Sequence, residues 1–255
     1  MSKPAPQFHV KLAQTQEELE AAQRLRYRVF VQELGGDGPL VDHDAGLETD
    51  QFDACFDHLI LQCDAAPGEV VGVYRLLRDD QAAMAGQFYS EDEYDLSMLK
   101  SSGRRLLELG RSCLDAQYRG GMAMHHLWNS LAMYIADHKI EILFGAASFH
   151  GTDAAALAQP LSLLHHRHLA PKNLRPRARN GHYQSMDLVA EADLDRRAAM
   201  LQVPSLIKAY LRLGGHVGDG AYVDHRFNTT DICLVMDTEQ MRENRKNIYS
   251  KGITR

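Results

Sequence analysis

The run from Arg104 to Ala123, Arg-Arg-Leu-Leu-Glu-Leu-Gly-Arg-Ser-Cys-Leu-Asp-Ala-Gln-Tyr-Arg-Gly-Gly-Met-Ala, constrains the fold more than any other part of the chain. It reads as a buried strand over Arg105–Leu114 that carries two charges, Glu108 and Arg111. A basic glycine turn follows, then a helix from about Met122. A carboxylate or guanidinium on a core strand costs several kcal/mol to desolvate unless it is paired or used. A glycine turn opening onto a helix offers free N–H groups and a partial positive charge to a phosphate. Together they point to transfer chemistry on a phosphate-tethered substrate.

The length of 255 residues permits a sizeable core, in one large or two small domains. No apolar run approaches the roughly 20 residues needed to cross a bilayer. The N-terminal residues lack the apolar core of a signal peptide, so a cytoplasmic protein is expected. Cys55, Cys63, Cys113 and Cys233 form no C-x-x-C pair and read as reduced, buried thiols. His165-His166-Arg167-His168 invites a metal, but adjacent histidines diverge and no H-x-x-x-H accompanies them, so no metal site is expected. The net charge of −6 conceals an acidic region from Asp37 to Asp95 and basic segments at Arg167–Arg179 and Arg242–Arg255. A nucleic-acid binder would be broadly basic, so that partner is excluded.

Phe8–Ala13 reads as a first strand. Thr15 and Glu18 form a capping-box pattern ahead of a helix to about Glu33, with Leu19, Ala22, Leu25 and Val29 on one stripe. Gly35–Pro39 breaks it, and a polar loop runs to Asp53. His58–Cys63 and Val70–Leu77 read as a hairpin turning near Pro67-Gly68. Met122–His138 is an amphipathic helix and Glu141–Ser148 an apolar strand. Beyond lie a helix at Asp153–His166, a basic loop at Lys172–Asn180 and a short strand at Ser185–Val189. Pro204–Leu213 is a helix with proline at its start, and Asp231–Met236 a closing strand. Strands in hairpins with unevenly interspersed helices predict a mixed α/β sheet rather than a regular βαβ array.

Three signatures recur in one order: Arg26-Tyr-Arg-Val-Phe30, Glu48-Thr-Asp-Gln-Phe-Asp53 with Gly72-Val-Tyr-Arg75, and Glu108-Leu-Gly-Arg111. The set resembles the acyl-homoserine-lactone synthases of the Gcn5-related N-acyltransferase superfamily. Gly36 stands where those synthases usually carry tryptophan, and this chain is longer. Glu108–Gly120, Ala147–Thr152, Pro204–Gly214, Val217–Gly220 and Phe227–Asp231 are instead similar to the ornithine-lipid N-acyltransferases. That resemblance covers about residues 8 to 236. It implies a splayed central sheet flanked by helices, in one acyltransferase domain over 1–237 (core 8–150, C-terminal extension 151–237), ahead of a basic tail over 238–255. It further implies transfer of a 3-hydroxyacyl chain from acyl carrier protein to the α-amine of L-ornithine, the first step of ornithine-lipid synthesis. The same chemistry on glutamine or another amino acid, acyl-homoserine-lactone synthesis, and a non-catalytic carrier-protein binder are the alternatives.

Amide formation from a thioester needs a neutral amine, and an α-amine is largely protonated at neutral pH. Glu108 is the candidate base, or the group that orients the amine. Its simplest alternative, an ion pair with Arg111, is weakened because residues three apart on a regular strand face opposite ways. Arg26, Arg75 and Arg111 either clamp the acceptor carboxylate or brace the acidic loop. Phe30 shares the Arg26 helix face, and Asp50 and Asp53 either hold a cationic side chain or stand as a solvated loop. Ser112 and Cys113 follow Arg111 without a nucleophile elbow, so direct amine attack in a ternary complex is simpler than covalent catalysis.

The turn Gln117-Tyr-Arg-Gly-Gly-Met-Ala123 approximates the superfamily's phosphate turn, with Gln117, Arg119, Gly120 and Gly121 as the candidate contacts. Met122 at a small-residue position departs from the pattern. That departure favours the single phosphodiester of 4'-phosphopantetheine on carrier protein over the pyrophosphate of coenzyme A. No bound cofactor is expected. Arg167, Lys172, Arg175, Arg177 and Arg179, with Arg104 and Arg105 as a second group, are either a docking surface for the acidic carrier protein or a solvated loop. The tail residues Arg242, Arg245, Lys246, Lys251 and Arg255 are either a disordered extension or a peripheral contact with an anionic membrane.

Overall fold

A computed structural model describes residues 6–240, and the basic tail at Arg242, Arg245, Lys246, Lys251 and Arg255 lies outside them. The chain divides into two compact units, one of residues up to 86 together with 108–139, the other of 87–107 with 140 onward.

In the first unit β1 (Phe8–Leu12) leads to α1 (Gln16–Arg26), which continues without a break as a π-helical segment over Tyr27–Glu33. Thr15 fixes where α1 begins, its hydroxyl accepting the Glu18 N–H at 3.3 Å. The hairpin of β2 (Asp57–Cys63) and β3 (Val70–Arg78) follows, and β1 pairs antiparallel with β2 in the register Val10–Leu61. After α2 (Asp79–Ala85) the chain returns as β5 (Leu106–Leu114) beside β3, then α4 (Ala123–Asp137). β2 and β3 alternate between two covered faces. Ile60 and Val73 pack with Ala22 and Leu25 of α1 and with Val29 of the π-helical segment. Gly72 faces the other way, where a Cβ would lie 2.7 Å from Leu114 and 3.0 Å from Leu127 of α4. Burial on both faces is why these strands read as continuous apolar runs.

The second unit begins with β4 (Tyr94–Asp95) and the single turn α3 (Ser97–Lys100). Its principal pair is β6 (Ile142–His150) with β11 (Thr229–Asp237), antiparallel from Ile142–Asp237 to His150–Thr229. The remaining strands are β7 (Arg177–Ala178), β8 (Tyr183–Gln184), β9 (His216–Val217) and β10 (Ala221–Asp224). β10 pairs with β11 and β8 with β10, β9 also pairs β11, and β7 pairs β4. Helices α5 (Ala158–His168), α6 (Arg196–Gln202) and α7 (Ser205–Arg212) complete it, with Tyr94 buried and its hydroxyl donating to the Asp231 carbonyl at 2.8 Å.

The mixed α/β fold is as expected, with local corrections. Helix α5 starts at Ala158 rather than Asp153, because Pro160 is tolerated only in a first turn and the Asp153 carboxylate holds the preceding loop at the Ala155 N–H. Ser185–Val189 is not a strand. The Leu188 and Val189 N–H groups donate to Ser162 Oγ at 3.0 and 2.9 Å, so they are unavailable to a ladder, and the strand is Tyr183–Gln184. Among the described residues no helix is long and apolar enough to cross a membrane.

Candidate active site

Glu108, Arg26, Arg75, Asp50, Asp53 and Arg111 all lie in the first unit, and the last five converge on one charged network. The apolar stripe of α1 turns Arg26 inward, where it is 0% exposed. Asp53 Oδ1 takes Arg26 Nη1 at 2.6 Å and Arg75 Nη1 at 2.8 Å. Its Oδ2 accepts from Gln23 Nε2 at 2.9 Å and from the Asp50 N–H at 3.3 Å. Asp50 closes on Arg75 Nη1 at 2.5 Å, and Arg75 stacks over Phe56 at 4.3 Å from the ring centre.

The sixth member is Glu48, which the sequence placed in a motif without assigning it a role. Its Oε2 accepts from Arg26 Nε at 2.5 Å and its Oε1 from Arg111 Nε at 3.0 Å. Three guanidiniums thus face three carboxylates. The signal for Glu48 is its place in Glu48-Thr-Asp-Gln-Phe-Asp53, where it adds a third acid to the loop that carries Asp50 and Asp53. These contacts tie Arg26 and Arg75 to the Glu48–Asp53 loop. Asp50 and Arg111, with side chains 16% and 15% exposed, are its solvent-facing members. Phe30 lies in the π-helical segment, half-buried, with the Arg111 guanidinium 5.7 Å over its ring.

Burial pushes the Asp53 carboxyl up, and Arg26 and Arg75 more than reverse this, leaving it well below the ordinary range. Glu48 is likewise lowered, because Arg111, Arg26 and Arg75 outweigh its desolvation. His58, whose Nε2 donates to the Asp53 carbonyl at 2.9 Å, is lowered chiefly by burial and stays neutral.

Glu108 is 1% exposed on β5. The strand is not regular beyond it: Arg111 has φ +46°, and Gly110, Arg111 and Ser112 are all half-buried where alternation is expected. The opposite-face relation of Glu108 and Arg111 assumed a regular strand, and this irregularity removes that assumption. Burial pushes the Cys113 thiol up to about 12, so it is not a thiolate.

Past β5 the Asp115 carboxylate accepts the Gln117 N–H at 3.0 Å, Gly120 has φ +76°, and both Gly120 and Gly121 have open space where a Cβ would stand. Helix α4 begins two residues later without a side-chain cap. Arg119 folds back on the Leu114 carbonyl (Nε at 3.0 Å) and pairs with Glu33 at 2.7 Å.

The basic segment belongs to the second unit. Arg167 pairs with Glu191 at 2.6 Å, and Arg175 donates to the Ala170 carbonyl at 2.7 Å. Arg177 meets Asp219 at 3.3 Å, and Arg179 donates to the Glu91 carbonyl at 2.6 Å. Lys172 is exposed. Arg104 pairs with Asp237 at 2.7 Å. The structure also brings Asp187 to His165 and His166, at 3.9 and 3.3 Å, but His166 Nε2 donates to the Val189 carbonyl at 3.0 Å, a use that excludes ligation by the same atom.

Residues 25–129 match the acetyltransferase (GNAT) domain. An L-ornithine N(alpha)-acyltransferase of Rhodobacter capsulatus is 59% identical over 250 residues, 96% of each chain. One of Brucella abortus is 40% identical over 254 residues, 97% of this chain and 90% of that protein. Two solved structures share the fold, each at 12% identity. The N-acyl amino acid synthase FeeM from uncultured soil microbes has a TM-score of 0.55, covering 94% of this chain and 96% of that one. The CoA-dependent acyl-homoserine lactone synthase BjaI has a TM-score of 0.53, covering 96% and 90%. The chain belongs to the family of L-ornithine N(alpha)-acyltransferases, enzymes built on the GNAT acyltransferase fold.

Proposed function

We propose that this enzyme moves a 3-hydroxyacyl chain from the 4'-phosphopantetheine arm of acyl carrier protein to the α-amine of L-ornithine, giving lyso-ornithine lipid. Family membership supports the acceptor, and the observation that carries the mechanism is Glu108, a carboxylate 1% exposed on the strand that leads into the glycine turn. There Glu108 takes the amine proton, directly or through water, or orients the amine for attack. The amine adds to the thioester carbonyl, the carbon–sulfur bond breaks and the thiol of the arm departs with a proton. Backbone N–H groups of β5 stabilise the oxyanion.

Direct attack is favoured over an acyl-enzyme because the Cys113 thiol, raised to about 12, is a poor nucleophile at neutral pH. Gln117, Arg119, Gly120 and Gly121 receive the phosphodiester at the uncapped start of α4, Arg119 exchanging Glu33 for it. Asp50 and Arg111 are the network members exposed enough to meet the amino acid, the first at its ammonium and the second at its carboxylate. Carrier protein docks on the basic segment chiefly through Arg167 and Lys172, since Arg175 and Arg179 donate inward to carbonyls. The enzyme acts in the cytoplasm and meets the membrane peripherally at product release.

The test is incubation with 3-hydroxyacyl carrier protein and a panel of amino acids, read by mass spectrometry. Acyl-ornithine alone is expected. Turnover of glutamine in preference to ornithine, or of coenzyme A thioesters alone, would refute the assignment. Glu108→Gln should bind donor and lose turnover; unchanged turnover removes Glu108 from the mechanism.

A further inference from the structure

Arg111 is the residue that the network treats most unusually. A non-glycine side chain at φ +46° in mid-strand is strained by about 1–3 kcal/mol and persists only where its surroundings over-determine it. Those surroundings are specific. Glu48 Oε1 holds Arg111 Nε at 3.0 Å, Asp50 stands 3.7 Å from Nη2, and the Phe30 ring lies beneath the guanidinium. Glu48 is itself immobilised. It is 1% exposed, its Oε2 takes Arg26 Nε at 2.5 Å, and its own N–H donates to the Gln23 carbonyl at 3.2 Å. A rigid line therefore runs from the buried face of α1 through one carboxylate to a strained residue on β5. A second anomaly sits next to it: Ser112 Oγ is buried with no hydrogen-bond partner among the described residues, an expense that calls for an explanation.

We propose that Glu48 is a positioning residue for acyl transfer: it clamps Arg111 in the left-handed conformation and so sets the direction in which Gly110, Arg111 and Ser112 offer their amides and hydroxyl to the substrates. This rests on the transfer reading above. Glu48 does not touch the reacting atoms, since both its oxygens are engaged by arginines. Its role is to hold a backbone bend that a regular strand would not keep. The Ser112 hydroxyl, without a hydrogen-bond partner among the described residues, is matched to a substrate group present during turnover.

The deciding experiment uses the full chain, with Glu48→Gln, Arg111→Gly and the double variant. Glutamine keeps the shape but not the charge at Glu48. Glycine adopts φ +46° without strain, keeps the Arg26–Glu48 pair and cuts the clamp. With ornithine and 3-hydroxyacyl carrier protein, each single variant should lose about 10- to 100-fold in kcat, with KM for the donor unchanged. The double variant should be no worse than the poorer single one, because both remove the same constraint. Amide hydrogen exchange without substrates should quicken at 110–112 and not in β2 or β3. Losses that multiply in the double variant, kcat within threefold of the parent in Glu48→Gln, or unchanged exchange at 110–112 would each overturn the proposal. If Glu48→Gln does not fold, Arg111→Gly decides through exchange alone. If the parent acylates no amino acid, the function reading fails while the exchange data still judge the clamp.

Discussion

Replacing Asp53 with asparagine should destabilise the first unit more than any other single change of similar shape. Four donors converge on this carboxylate: two guanidiniums on Oδ1, and the Gln23 amide and Asp50 N–H on Oδ2. An asparagine has one oxygen, so its NH2 must face one of these donor pairs. The substitution also removes the one negative charge that Arg26 and Arg75 share at Oδ1. Water cannot compensate, since the Arg26 and Arg75 side chains are 0% exposed. Breaking a buried pair by removing one partner costs about 3–5 kcal/mol. For a domain of this size that corresponds to a fall in Tm of roughly 6–20 °C. Thermal and urea unfolding of Asp53→Asn measure it, with Asp44→Asn, in the exposed part of the same loop, as a control expected within about 0.5 kcal/mol. A loss below about 1 kcal/mol for Asp53→Asn would mean that the network behaves as a solvated loop and would refute the brace.

Gly72→Ala should cost about 1–3 kcal/mol, read by urea unfolding, because its Cβ would stand 2.7 Å from Leu114 and 3.1 Å from Leu61 Cβ; a neutral result would show that α4 can shift freely. Acidification should weaken the fold. His58 is lowered in the folded state, so the unfolded chain binds the extra proton and stability falls as pH drops below about 6.5. Glu48 and Asp53 are lowered too, so their contribution is held above about pH 4 and lost below it as pH falls through their folded values. A urea midpoint at pH 5.5 equal to or above that at pH 7.5 would contradict the His58 assignment. Reversing Arg167 and Lys172 together to glutamate should raise KM for carrier-protein donor of order tenfold and leave a free pantetheine thioester unaffected; equal effects on both would exclude docking there.

The sequence made the elements of the first unit legible because each carries a local signal: the Thr15 cap, the apolar alternation of β2 and β3, and the glycine turn before α4. The charged residues were legible as intrusions into apolar runs. Their partnership was not, since Arg26, Glu48, Arg75 and Arg111 lie far apart in sequence and meet only through the fold. The same holds for the π-helical continuation of α1 and the left-handed Arg111, neither of which follows from residue propensity. In the second unit the signals are weaker because side chains replace ladder partners, as where Ser162 takes the N–H groups of Leu188 and Val189. The short strands β4, β7, β9 and β10 are defined by tertiary pairing and have too few residues to show a period.

The network's existence calls for a reason other than stability. Six charged groups gathered here, four of them buried, are at best neutral against apolar residues of equal volume, because desolvation offsets most of their attraction. An apolar filling among Ala22, Leu25 and Val73 would hold α1 against β3 about as well. What it would not supply is direction, since dispersion forces fix a spacing but not the orientation of a backbone bend. The forks of Arg26 and Arg111 meeting the two oxygens of Glu48 fix both. A strand that carries Glu108, a left-handed Arg111 and a Ser112 hydroxyl with no hydrogen-bond partner among the described residues, all within five residues, is served by that directional hold. The charged core is therefore better understood as the support of β5 than as a source of folding energy. On this basis, apolar replacement of the whole network should retain the fold and lose the transfer.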